Sequence, residues 1–255
     1  MFRWSAILPM FALALPAFPQ GGGTQPAAPP KREVQWVRLG YYKEITPDRW
    51  KERVEQMLQK DAQNPPPKEG VLFAGSATIA GWDLKKYFPE YRTINRGIGG
   101  SMISETTYYT DQLIIPFKPS TIVYYSGDND TGYGVPTDMI ASNFREFVAK
   151  IHSALPDTQM VVLSIRPSIA RLAVWDAVVA ANERLKAIAA NDAKLQFVDL
   201  TPMLITADGK PRGELLREDR HHLNQEGFDL VSPVVKRSIE EAEARYWHGR
   251  VRTSK

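Results

Sequence analysis

No cysteine occurs among the 255 residues, which excludes a disulfide framework, a thiolate metal site and a cysteine nucleophile. Any nucleophile must carry oxygen. A dominant charge is also missing: 32 Lys and Arg against 29 Asp and Glu leave a net +3. The basic residues are spread along the chain, apart from a short tail of Arg245, Arg250, Arg252 and Lys255. Aromatic residues are not interleaved with clustered Arg or Lys, so the pattern of a nucleic-acid binder is lacking. Beyond the N-terminus no apolar run approaches the roughly 20 residues that cross a bilayer, and stable membrane insertion is not expected.

What is present is an ordinary folded composition, 43% hydrophobic and 24% charged. Residues 1–20 read as an export signal, with Arg3 at the start, an apolar stretch from Trp4 to Leu15, and small residues Ala12, Ala14 and Ala17 offering cleavage positions. Pro9 breaks that stretch, and it is short for an anchor. The expected location is therefore periplasmic or secreted. Residues 21–33 form a Gly/Pro-rich spacer with little to bury. From Val34 to Lys255 there is neither a repeat nor a further composition shift, so 34–255 is read as a single domain.

Within that domain Val71 to Ala74, Thr121 to Tyr125, Met160 to Ile165 and Gln196 to Asp199 are short apolar runs without alternation. Such runs suit strands covered on both faces. A helix is expected over Pro47 to Gln63, ended by Asn64 and three prolines. Others follow from Ile140, Phe144, Phe147, Val148 and Ile151, and from Val178, Ala181, Leu185 and Ile188. A last helix should start with Asn224 as cap and bury Phe228, Val231, Val235 and Ile239. The alternation predicts an α/β fold with a parallel sheet between helical layers, whose ligands bind beyond the carboxyl ends of the strands.

The unusual residues lie in four loops near those ends: Phe73-Ala-Gly-Ser-Ala-Thr-Ile79, Asn95-Arg-Gly-Ile-Gly-Gly-Ser101, Gly127-Asp-Asn-Asp130 and Asp219-Arg-His-His-Leu-Asn224. Each alone reads as a turn. In this order, from about Pro65 to Phe228, they resemble the four signature blocks of the SGNH (GDSL-like) hydrolases, a family of serine esterases and lipases. They look most like the branch that includes platelet-activating-factor acetylhydrolase catalytic subunits and exported bacterial relatives. The resemblance implies a three-layer α/β/α sandwich, a flavodoxin-like strand order 2-1-3-4-5 and no metal or organic cofactor.

It also implies roles. His222 would be the base and Asp219 its orienting acid, with Gly100 (backbone N–H) and Asn129 (side-chain N–H) forming the oxyanion hole. The chemistry is coherent, because acyl transfer needs a nucleophile, a base, a group that holds the base and preset donors for the oxyanion. Bland alternatives stand beside each: Asp219 and Asn224 as caps of a helix-entry turn, Gly99-Gly100 as a tight turn, Asn129 as a self-bonding turn. Arg96 and Ser101 would shape the pocket edge without a catalytic task.

The first block departs from the family. Where Gly-Asp-Ser or Gly-Ser-Ser is expected, Gly75, Ser76 and Ala77 stand, so Ala77 occupies the nucleophile position and Ser76 is a doubtful nucleophile one residue early. In a helix's first turn a one-residue step rotates the side chain by about 100°. Three accounts follow: a replacement that leaves an inactive protein, a relative that binds esters without cleaving them, or a backbone shift that lets Ser76 act. Ligation of a metal by Asp219, His221 and His222 is disfavoured, since adjacent histidines seldom converge and only His152 and His248 remain to complete a shell. A calcium loop starting at Asp128 fails, with Gly132 at position five and Met139 where a bidentate Glu belongs. A nucleotide binder of flavodoxin-like fold is disfavoured because the first loop is no phosphate-cradling glycine motif. The expected partner is a small-molecule or glycan ester, and the runner-up function is a non-catalytic ester- or glycan-binding protein. Oligomeric state is not legible.

Overall fold

A computed structural model describes residues 36–253, with side chains to residue 250. The expected export signal and spacer lie outside the described residues. The described residues belong to one compact unit. Its centre is a parallel sheet of five strands: β1 (Val71–Gly75), β2 (Thr93–Gly97), β3 (Thr121–Tyr125), β4 (Gln159–Leu163) and β5 (Leu195–Val198). The order is β2-β1-β3-β4-β5, the flavodoxin-like order expected. Every neighbouring pair is parallel, with Val71 opposite both Thr93 and Thr121.

Four of these strands match the apolar runs of the sequence, and β2 does not. Its sequence Thr-Ile-Asn-Arg-Gly carries polar residues because it is an edge strand, where one flank needs no apolar cover. Asn95 to Gly97, expected in a loop, therefore belong to this strand. Arg96 is nearly buried and pairs with Asp61 at 2.7 Å.

The sheet is covered on both sides, as its apolar strands require. Leu72, Ala74, Ile122, Tyr124, Met160 and Val162 face one layer. Against them pack α1 (Lys51–Gln63), the short helix Ile103–Tyr108, and the helices Thr137–Ala154 and Trp175–Ala190 through Val54, Ile103, Ile140, Phe144, Phe147, Val178 and Leu185. Val71, Phe73, Val123, Tyr125, Val161 and Leu163 face the other layer, where the C-terminal helix Gln225–Thr253 inserts Phe228, Val231, Val235 and Ile239. Strand residues i and i+1 thus serve opposite cores, the period of two that a pleated strand imposes. The expected helix over Pro47 to Gln63 opens as a 3₁₀ turn, Pro47–Trp50, before α1 begins. Asn224 caps the last helix as expected, its Oδ1 accepting the Gly227 N–H at 2.9 Å.

Candidate active site

The site is built at the carboxyl edge, from the chain that leaves each strand. At the end of β1, Gly75 has φ 130°, and a Cβ there would meet the Tyr125 carbonyl oxygen at 1.8 Å. Only glycine lets β1 run so close to β3. Ser76 then stands at the N-cap position of the short helix Ala77–Ala80, without a capping bond from its side chain. The Ser76 hydroxyl is fully buried and donates to Asp128 Oδ1 at 2.9 Å. Ala77 is partly exposed and opens the helix, the position whose N–H has no intrahelical partner.

After β2 the backbone turns back at once. Ile98 N–H donates to the Gly75 carbonyl at 2.8 Å, and a methyl placed on Gly99 would lie 3.9 Å from that of Ala77. Gly100 takes φ 89°, and its carbonyl accepts from Arg49 Nη2 at 3.0 Å. The same guanidinium holds Glu105 through Nε at 2.5 Å and Nη2 at 2.7 Å. The peptide plane of this turn is therefore clamped from outside.

After β3, Gly127 (φ 112°) leads into the short helix Asp128–Gly132, all of it buried. Asn129 Nδ2 donates to the Ser101 carbonyl at 2.9 Å, which joins this block to the glycine turn. Asp130 accepts from the Ile103 N–H with both oxygens, at 3.2 and 3.3 Å. Burial pushes the Asp130 carboxyl up to about 7; the Ile103 N–H opposes this, and the Asp128 charge adds to it.

The fourth block is a tight loop closed by an antiparallel bridge of Leu216 with Leu223 and by Arg217 N–H to the His222 carbonyl at 2.8 Å. Arg220 takes φ 57° at its tip. Asp219 Oδ1 accepts both the His221 and His222 backbone N–H groups at 2.9 Å, and its Oδ2 meets His222 Nδ1 at 2.6 Å. Burial alone would raise the Asp219 carboxyl, but the His222 bond and the two N–H donors outweigh it and hold it down at about 2. With Nδ1 committed to a carboxylate, the other ring nitrogen, Nε2, is left for chemistry.

Asp219 and His222 are thus paired, and the Asn129 amide meets the turn that holds Gly100. The side chains of the metal alternative go to different partners. His221 turns away from Asp219, its Nδ1 3.0 Å from Ser168 Oγ and its Nε2 3.6 Å from Asp128 Oδ2. Burial pushes the His221 imidazole down to about 4, against the pull of the nearby Asp128 carboxylate. Asp128 lies below the ordinary carboxylate range: its burial is outweighed by the nearby His221 imidazole and the charges of Arg171 and Arg166.

Sequence reasoning missed a fifth loop. The chain after β4 carries Arg166, Ser168 and Arg171, each nearly buried. Arg166 donates to the His221 carbonyl and to Thr78 Oγ1, and Arg171 Nη2 donates to Asn129 Oδ1 at 2.8 Å. The available signal was two arginines directly after an apolar strand, at the edge where ligands bind. Trp36 was missed as well; its ring lies 4.6 Å from that of His221 and 5.3 Å edge-on from that of His222.

The GDSL-like Lipase/Acylhydrolase family profile matches residues 61–230. The chain belongs to this family. Among solved structures it is similar to a platelet-activating-factor candidate from Streptococcus pneumonia, at 20% identity over 74% of this chain and 92% of that one, TM-score 0.68. It is likewise similar to a GDSL-like lipase from Bacteroides thetaiotaomicron, at 21% identity over 74% and 98%, TM-score 0.65. A carbohydrate esterase family 3 protein from Talaromyces cellulolyticus follows at 15% identity over 68% and 97%, TM-score 0.57. At these identities the likeness is one of fold. No curated protein matches the sequence. The GDSL-like architecture is that of an ester hydrolase, and the four blocks all fall inside the matched residues.

Proposed function

We propose that this protein is an exported ester-hydrolase scaffold for carboxylic esters, acyl or acetyl, in which Ala77 stands at the nucleophile position and leaves turnover impaired or absent. The carrying observation is the Asp219–His222 pair at 2.6 Å, oriented so that Nε2 is the free base. In a protein with a hydroxyl at position 77, that oxygen would attack the acyl carbon as its proton passes to His222. Negative charge would develop on the carbonyl oxygen, toward the Gly100 N–H and the Asn129 amide. Collapse would return the proton to the leaving alcohol, and water would then release the acyl group by the same route.

Ser76 is a poor substitute. Its hydroxyl is buried and donates to a carboxylate that remains ionised, which ties up its proton rather than accepting it through an imidazole. The alternative, a protein that binds esters or glycan esters without cleaving them, is favoured by Ala77 itself. Both readings share these residues and differ in the outcome of one substitution. Ala77→Ser should raise hydrolysis of short p-nitrophenyl esters by roughly 10³-fold or more, the scale of a restored triad member. Ser76→Ala in the unaltered chain should leave residual turnover unchanged. If Ala77→Ser restores nothing in a folded protein, the binding function is the better reading; if Ser76→Ala abolishes robust turnover, Ser76 is the nucleophile.

A further inference from the structure

The geometry points to Arg171 as a positioning residue that fixes which end of the Asn129 amide faces the ester carbonyl. The inference rests on the reading above, in which Asn129 is an oxyanion donor.

An amide carries a donor end and an acceptor end of nearly the same shape, so an oxyanion donor works only if something selects its orientation. A guanidinium has donors alone. Arg171 Nη2 lies 2.8 Å from Asn129 Oδ1, and reversing the amide would set N–H against N–H. On the other end Nδ2 spends one hydrogen on the Ser101 carbonyl at 2.9 Å. The second hydrogen is left, next to the turn of Gly100 and Ser101 to which the first one is bonded.

Two further observations mark Arg171 as placed for this task rather than for packing. Its side chain is about 5% exposed, yet its Nε and Nη1 have no hydrogen-bond partner among the described residues, so no carboxylate grips it as in an ordinary buried ion pair. Space is also kept for it: a Cβ on Gly132 would lie 2.5 Å from Arg171 Nη1 and 2.9 Å from the Trp36 carbonyl oxygen. The turn that carries Arg171 is tied to the histidine loop through Ala170 N–H to the Arg220 carbonyl at 3.1 Å. Arg171 thus links the amide to the base. A cationic donor on Oδ1 also polarises the amide and strengthens its N–H toward a developing negative charge.

The test uses the Ala77→Ser protein, in which turnover is measurable. Adding Arg171→Met should lower kcat about 10- to 100-fold, below the roughly 10²- to 10³-fold for removing an oxyanion donor outright. KM should move less than about threefold, because the contact matters in the transition state. In a background that also carries Asn129→Ala, Arg171→Met should cost less than about threefold more, since the amide it orients is gone. Arg171→Lys, which keeps the charge but loses the planar fork that reaches Asn129 Oδ1, should reproduce the kcat loss if Arg171→Met does not fold. A kcat within about twofold of the Ala77→Ser protein, or a full loss on top of Asn129→Ala, would overturn the assignment. Should Ala77→Ser itself show no turnover, the catalytic reading fails separately. Arg171 is then judged by NMR of the Asn129 side-chain amide in the otherwise unaltered protein. Arg171→Met should shift or broaden that signal pair, and an unchanged pair would overturn the assignment.

Discussion

His222 and its partner set what single residues can be asked to do. Asp219 is held at about 2, so its charge is constant across the pH range in which a protein of this kind is assayed. In the Ala77→Ser protein His222 is then the group left to take the nucleophile's proton, and His222→Ala should remove the restored turnover. Asp219→Asn should cost roughly 10³- to 10⁴-fold in that background by releasing the wrong tautomer, readable as kcat with the fold intact. Ser76 belongs to a different network. Ser76→Ala strips a donor from the buried Asp128 carboxylate and should lower stability by about 1–3 kcal/mol in urea unfolding.

Elements explain why some of the site was legible and some was not. The strands β1, β3, β4 and β5 announce themselves because burial on both faces makes them continuous apolar runs. β2 is silent, since Asn95 and Arg96 are spent on the sheet edge, bonding the Ile79 carbonyl and Asp61. The Asp219–His222 pair was legible because the partners stand three positions apart within one loop. The Arg171–Asn129 contact was not, because its partners stand 42 positions apart and only the parallel crossing of β3 and β4 brings them together. Glycine at the end of β1 makes the elements' demand testable. Gly75→Ala puts a methyl into the Tyr125 carbonyl at a φ of 130°, and should destabilise by more than about 3 kcal/mol or prevent folding. A Gly75→Ala protein that melts like the parent would contradict the close approach of β1 and β3.

For the molecule as a whole, two buried titratable groups pull stability in opposite directions with pH. His221 is kept neutral, with its imidazole down at about 4 from an ordinary value near 6.5. Its contribution is complete above about 6.5 and is lost as pH falls through about 4. Asp130 is pushed up to about 7 from near 3.8, so its contribution is complete below about 3.8 and lost as pH rises through about 7. Each is on the order of 3–4 kcal/mol at full extent. Asp130→Asn should therefore make the unfolding free energy climb more steeply between pH 4 and 7, and His221→Gln should flatten or reverse that climb. Urea melts across this range check both signs, and identical slopes in all three proteins would refute the assignment of these groups.

The central claim, that residue 77 stands where the nucleophile of an ester hydrolase belongs, is tested most directly by trapping. Ala77→Ser and the unaltered protein are mixed with p-nitrophenyl acetate, quenched in acid within the first turnovers and weighed intact, and the adduct is mapped by peptide digestion. The account predicts that the substituted protein alone gains one acetyl group, placed at position 77 and lost when His222→Ala is added. Acetylation of the unaltered chain at Ser76, or no adduct and no turnover in a folded Ala77→Ser protein, would contradict it.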